Sequence, residues 1–297
     1  MNFSACSAVS KIEVNGMARK QKSTANQWFD FTRDSYLERT GRPVYAIVFL
    51  LPFIIFYELG TIFINTDVLS QTEIRVVAFV WLQEFLGYLG FGGKFLWVMP
   101  ALLVIVILLA YQLVSGKRWW VSFIDILPMT LECILLAIPL IVLSLFLHSS
   151  SVASNWSAQC VPAAAQSVVT EQAQPSLLAD IVTGIGAGIY EELLFRLILI
   201  CLLMLLFQDV FGLGKNNSIV LAVLVSAALF GAHHHIDFLT GTPNQTDFFD
   251  WWKFIFRTMA GVYFAMLFAI RGFGITAGTH AFYDIIATLI NALVFTR

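Results

Sequence analysis

The chain has 297 residues, of which 59% are hydrophobic and only 12% charged, with a formal net charge of −2 and a mean hydropathy of +0.80. Soluble domains carry about 25% charged residues, so this balance excludes a soluble globular protein and specifies a polytopic membrane protein. A slightly acidic chain also lacks the basic footprint of a nucleic-acid binder.

Residues 1–42 are polar and hold Lys11, Arg19, Lys20, Lys22, Arg33, Arg39 and Arg42, which predicts a cytoplasmic tail. The first apolar run, 43–64, is too long and too late for a signal sequence and is expected to stay as an anchor. About 20 apolar residues cross a bilayer. On that measure spans are predicted at 43–64, 96–116, 119–147, 178–208, 218–236, 252–270 and 273–295. The stretch 74–90 is apolar but carries Arg75, Gln83 and Glu84, and reads as a short span, a re-entrant helix or an interfacial helix. The fold class is therefore an all-α bundle of seven to eight transmembrane helices.

Loop charges favour seven. The loop 148–179 has no Lys or Arg and belongs outside, as does the loop containing Asp237, Asp247 and Asp250, whereas Lys117, Arg118, Lys215 and Arg271 belong inside. A bundle in which 74–90 does not cross meets all of these conditions. The expected organisation is a tail at 1–42, N-terminal transmembrane helices at 43–147, an extramembrane loop at 148–177 and a C-terminal transmembrane core at 178–297. The glycine-rich stretch 87–94 is not a phosphate loop, because position 88 is Tyr and Phe95 follows the lysine. Cys6, Cys133, Cys160 and Cys201 are scattered without CxxC spacing and suggest neither a zinc cluster nor a disulfide framework.

The densest polar feature is Glu191, Glu192 and Arg196 inside the run 181–206. Charges at the centre of a membrane helix cost roughly 2.5–3.5 kcal/mol each and mark functional sites by default. Glu192 and Arg196 share a face at i, i+4 and can neutralise each other as a supporting pair. Glu191 points about 140° away from Arg196 and finds no partner in its own helix. An unpaired, desolvated carboxylate suits a general base or acid. Downstream, His233, His234 and His235 end the span 218–236, with His234 one turn beyond Phe230. Three adjacent rings fan over about 200°, so at most two can face one pocket. The last span holds His280 and Asp284 at i, i+4, where the carboxylate can orient the imidazole. Three helices thus carry costly groups that can pair only with one another. Rise arithmetic sets the four residues Glu191, His234, His280 and Asp284 within a band of roughly 10–14 Å.

These residues resemble the three motifs of the CPBP intramembrane proteases. They are Glu191-Glu192-x-x-x-Arg196, Phe230-x-x-x-His234 and His280-x-x-x-Asp284, in that order. The family includes eukaryotic type II CAAX prenyl endopeptidases and bacterial proteins linked to bacteriocin self-immunity. The resemblance implies an endopeptidase that cleaves a peptide bond of a membrane-associated polypeptide. Glu191 and His234 would activate water, and His280 with Asp284 would stabilise the oxyanion. Glu192, Arg196 and Phe230 would support them. The prenyl endopeptidases have Asn at the position of Asp284; an ionised Asp is a poor oxyanion donor, so here it would orient His280 or carry a proton. The resemblance also implies a multi-pass protein of a bacterial cytoplasmic membrane.

A Glu with two His is also a possible zinc set, but HExxH is absent and no metal cofactor is expected. The expected partners are the lipid bilayer and a polypeptide substrate. A non-catalytic scaffold of the same family would keep the same fold, and a proton-coupled transporter would also keep acids and histidines in its helices. A transporter of that kind shows paired repeats, and none is visible. GxSG and GxGD do not occur, which argues against serine and aspartate intramembrane proteolysis.

Overall fold

In the computed structural model, residues 34–64, 75–155, 177–236, 238, 241–242 and 249–295 are described. Most of the basic tail, the loop residues 156–176, and Asp237 and Asp247 lie outside them. The described chain is helical: α1 (Tyr36–Thr40), α2 (Pro43–Ile64), α3 (Val77–Tyr88), α4 (Met99–Ser115), α5 (Ile126–Asn155) and α6 (Leu177–Glu192) come first. A π-helical stretch, Leu193–Leu199, continues α6 into α7 (Ile200–Leu205). Then follow α8 (Lys215–Ala232), α9 (Trp251–Arg271) and α10 (Phe273–Ile290).

Among the described residues, six helical segments are long and apolar enough to cross a membrane: Pro43–Ile64, Phe123–Leu147, Leu177–Val210, Lys215–Ala232, Trp251–Arg271 and Phe273–Leu293. The 17-residue α4 adds a shorter apolar helix that reaches ~26 Å, the lower limit for a span. With its 12 residues, α3 reaches only ~18 Å and does not cross. The fold is thus a polytopic all-α membrane protein. Large apolar side chains such as Leu59, Phe63, Leu127, Leu135 and Val142 stand exposed on its surface, as a hydrocarbon solvent requires.

Lipid offers no hydrophobic drive for one helix to meet another, so close packing at small residues carries association. The run Gly184-Ile-Gly186-Ala-Gly188 shows how α6 becomes the central helix. Residues 184 and 188 lie one turn apart and face α10: a Cβ at Gly188 would sit 2.6 Å from the Ala281 nitrogen, and one at Gly184 would sit 2.7 Å from the Asp284 Cβ. Gly186 points the other way, where a Cβ would collide with the Tyr57 ring of α2. Gly274 and Gly278 of α10 approach Ala46 and Phe49 of α2 in the same manner. Gly261 of α9 admits Ala227 of α8, and Gly231 of α8 admits Thr258 of α9.

These pairings fix directions. The contacts Gly60–Val182 and Tyr57–Gly186 make α6 antiparallel to α2, so α6 enters at the end of the bundle away from α1. α10 runs parallel to α2, and α9 returns to the α1 end, where Arg271 bonds the Leu37 carbonyl at 3.0 Å. α8 climbs back along the π-helical stretch, with Ser226 donating to the Phe195 carbonyl at 2.8 Å, and stops at the level of Glu191. Its last residues are thereby delivered into the bundle. Cys133 is fully buried, whereas Cys201 is half-buried and disulfide-bonded, which the scattered cysteine spacing does not suggest.

Candidate active site

Glu191, Glu192 and Arg196 are 5%, 0% and 0% exposed and sit where α6 gives way to the π-helical stretch. Such widened turns are rare and recur at functional sites. Arg196 Nε lies 3.0 Å from Glu192 Oε2, an ion pair without hydrogen-bond alignment. The guanidinium rests 4.2 Å from the Phe230 ring centroid and 5.6 Å from that of Phe264, and its Nη2 donates to the Gly261 carbonyl at 3.4 Å. Aromatic faces and a carbonyl thus replace the water that a buried cation has lost. Arg196 holds α6, α8 and α9 together.

Glu192 has a second partner beyond its own helix. His280 Nδ1 lies 2.8 Å from Glu192 Oε1, and His280 Nε2 lies 3.5 Å from Asp284 Oδ2. The ring stacks on Phe264, with centroids 4.5 Å apart and planes 20° from parallel. His280 is therefore held edge-on between two carboxylates, and the edge bearing Nε2 faces open space beside Asp284.

Glu191 meets α8. His233 Nε2 stands 3.4 Å from Glu191 Oε1, and suitable ligand atoms of Glu191, His233 and His234 all lie within 4.8 Å of one another. His233 Nδ1 and His234 Nδ1 both approach the Phe230 carbonyl, at 2.6 and 3.0 Å. A carbonyl oxygen can accept two hydrogen bonds, and this network assigns the proton to Nδ1 in both rings. In that tautomer each Nε2 carries a lone pair. Glu191 Oε2 is buried and has no hydrogen-bond partner. A carboxylate oxygen facing an imidazole lone pair favours a shared proton, a water or a cation between them.

Among the described residues, two cavities reach this centre. One of about 420 Å³ is lined by Asp180, Thr183, Ala187 and Glu191 of α6, Asp284 of α10 and Arg75 before α3. The other, of about 300 Å³, lies between α8, α9 and α10 and includes His234, Lys253, Arg257, His280 and Asp284. Asp284 lines both.

All four residues expected at the site meet here, with Glu192, Arg196 and Phe230 around them. Sequence reasoning did not assign His233, which is the imidazole 3.4 Å from Glu191. Choosing among three adjacent histidines depends on where α8 ends, and no spacing carries that information. It also passed over Arg257, whose Nη1 lies 3.3 Å from His235 Nε2 and which lines the second cavity. Its position within the predicted span 252–270 was the available signal.

Residues 173–286 match the family described as Rce1-like, type II CAAX prenyl endopeptidase, a segment that takes in α6 through Asp284. No curated protein and no solved structure matches the chain.

Proposed function

We propose, from the match of residues 173–286 to the Rce1-like family of type II CAAX prenyl endopeptidases, that the chain hydrolyses a peptide bond of a membrane-associated polypeptide at Glu191. The observation that carries this reading is the orphaned Oε2 of Glu191 beside two imidazole lone pairs and a cavity. A water held by Glu191, His233 and His234 loses a proton to Glu191 as its oxygen attacks the scissile carbonyl. His280 donates from Nε2 to the developing oxyanion, with Glu192 fixing the ring through Nδ1 and Asp284 orienting it. The protonated Glu191 then gives its proton to the departing amine, and the C–N bond breaks. The products are one carboxylate and one amine, and no redox partner is needed.

On this reading the N-terminal tail lies at the cytoplasmic face, following the basic residues of 1–42. The test is hydrolysis by purified protein in detergent or vesicles. Glu191→Gln should lose cleavage while keeping its fold, and His233→Ala, His234→Ala and His280→Ala should each be strongly impaired. Full activity of Glu191→Gln would remove the mechanism.

A second reading rests on the same cluster. Glu191, His233 and His234 offer a carboxylate and two neutral imidazoles, a donor set that fits zinc, and they would hold the ion in place of a free water. The chemistry a cation supplies there is acidification of bound water. Metal content measured on purified protein, with loss of activity to a chelator and its return with zinc, would favour this reading. Full activity in metal-free protein favours the carboxylate acting alone.

A further inference from the structure

Arg257 takes no part in the reaction described above, yet it shares a cavity with the groups that do. That cavity, of about 300 Å³, is lined by His234 of α8, Arg257 and Phe264 of α9, and His280 and Asp284 of α10. Arg257, Ala260 and Phe264 recur at i, i+3 and i+7, so one face of α9 lines it. On that face the Phe264 ring stacks on His280, with centroids 4.5 Å apart. Arg257 Nη1 donates to Nε2 of the buried His235 at 3.3 Å, which ties the guanidinium to the residue next to His234. Its charge acts on His234, Tyr283 and Asp284 alike. A guanidinium is planar, always charged and carries five N–H donors, a form that can rest on one partner and reach an anion as well.

The charge balance of the reaction asks for such a group. On the proposed mechanism the negative charge starts on Glu191. As Glu191 takes a proton from the water, that charge moves to the carbonyl oxygen beside His280. Asp284 already stands there, with Oδ2 3.5 Å from His280 Nε2, and an ionised carboxylate offers acceptors only. Glu192 holds the other edge of the ring, 2.8 Å from Nδ1. His280 thus brings a single N–H to an oxyanion that forms next to a carboxylate, and a low-dielectric interior leaves their repulsion strong. A second donor that carries positive charge offsets it. Among the described residues lining this cavity, Lys253 and Arg257 carry that charge. Lys253 is exposed in the first turn of α9, whereas Arg257 lies one turn and ~6 Å deeper and is half-buried.

We propose that Arg257 is a further catalytic residue, whose guanidinium donates together with His280 Nε2 to the oxyanion formed at the scissile carbonyl. This rests on the reading of Glu191 as the catalytic carboxylate. The carbonyl oxygen points into the cavity between α8, α9 and α10, while Glu191 lines the other cavity. When the C–N bond breaks, the oxyanion returns to a carbonyl, and Arg257 keeps its protons throughout. Removing one donor of this kind costs roughly 10²- to 10³-fold in kcat.

The test uses the full-length protein in vesicles, a prenyl-cysteinyl peptide as substrate, and the phosphonamidate of the same peptide. In that analogue a tetrahedral phosphorus with an anionic oxygen replaces the scissile carbonyl. Arg257→Gln should lower kcat roughly 10²- to 10³-fold with KM nearly unchanged. Phosphonamidate binding should weaken by a similar factor, because the analogue presents the anion that the substrate lacks. Binding of the uncleaved substrate, read by adding Arg257→Gln to Glu191→Gln, should stay as it is and serves as the folding control. Arg257→Lys should recover part of both losses, and His235→Ala, which removes only the neighbour of the guanidinium, should lose less than Arg257→Gln. An unchanged kcat in Arg257→Gln, a loss confined to KM, or equal weakening of substrate and phosphonamidate overturns the proposal. So does a His235→Ala loss as large as that of Arg257→Gln, which would reduce Arg257 to a brace. In each of these cases, loss of cleavage in Glu191→Gln leaves the catalytic carboxylate standing. An inactive wild type or a fully active Glu191→Gln instead overturns the reading of Glu191, and this proposal with it.

Discussion

Two of the polar clusters buried in this apolar bundle are built on opposite terms. At the α1 end, Arg271 binds Glu132 at 2.7 Å and Thr40 at 2.9 Å, while Tyr36 donates to Glu132 at 2.8 Å. Arg39 holds Asp125 with two bonds of 3.0 Å, and Tyr45 donates to the same carboxylate at 2.8 Å. None of these side chains has a buried polar atom without a partner. Around Glu191 the reverse holds. Glu191 Oε2, Glu192 Oε2, and Nε and Nη1 of Arg196 are buried without hydrogen bonds. A satisfied network fixes a fold, whereas unmet capacity in a low-dielectric interior is retained where something else must bind. The contrast separates a clamp from the proposed reaction centre, made of the same residue types.

The largest expected effect breaks the contrast on the side of chemistry. Glu191→Gln should lower kcat roughly 10²- to 10⁴-fold, the range of a general base. Its thermal midpoint in detergent should shift little, since Oε2 has no partner to lose. Arg271→Ala should do the opposite. Removing one member of a buried ion pair strands Glu132 and costs about 3–5 kcal/mol of stability. The fraction that remains folded should keep its kcat. A variant at Arg271 that lowers kcat without lowering stability would erase the distinction.

Gly188→Ala probes whether the centre depends on the packing around it. The added Cβ would lie 2.6 Å from the Ala281 nitrogen and 2.8 Å from the Ala277 carbonyl, so α6 and α10 must part. Overpacking of this kind costs about 1–3 kcal/mol. Because Glu192 on α6 bonds His280 on α10, activity should fall by more than the stability loss explains. Unfolding and steady-state rates measured on one preparation decide it. Proportionate losses would mean that the site tolerates helix separation.

How far each cluster was legible in the sequence follows from the same geometry. Glu192–Arg196 and His280–Asp284 could be read because both partners lie on one helix at i, i+4. The spans were legible because lipid demands long apolar runs, and the failure of 74–90 to cross was signalled by the distribution of basic residues among the loops. The clamp was not legible: Arg271 and Glu132 are 139 residues apart, and Arg271 registered only as a marker of membrane side. The helical phase used to aim Glu191 and Arg196 assumed regular α-helix, and nothing in the residues 193–199 announces a π-helical stretch. The run Gly184-Ile-Gly186-Ala-Gly188 did carry a packing signal, since alternating glycines can open two opposite faces of one helix.

The smallest expected effect tests the clamp from its solvent edge. Arg42 donates to Glu38 Oε1 at 3.3 Å, and this bond holds the Glu38 carboxyl below its ordinary value of 4.5, against a smaller upward push from burial. Asp34 also donates its backbone N–H to Oε2 at 3.4 Å. A group whose folded-state value is depressed stabilises the fold above its unfolded value and loses that contribution as pH falls through the folded value. Glu38→Gln should therefore lower the thermal midpoint at about pH 6, and the gap to wild type should close as pH drops below about 4. Solvent reaches this pair, so the difference should be small and should shrink in high salt. The site around Glu191 sits deep in the bundle, and salt should leave the stability of an Arg196→Met variant relative to wild type unchanged. Equal salt sensitivity of the two variants would show that water enters the centre as freely as it reaches the edge, and the division between clamp and reaction centre would then rest on bonding alone.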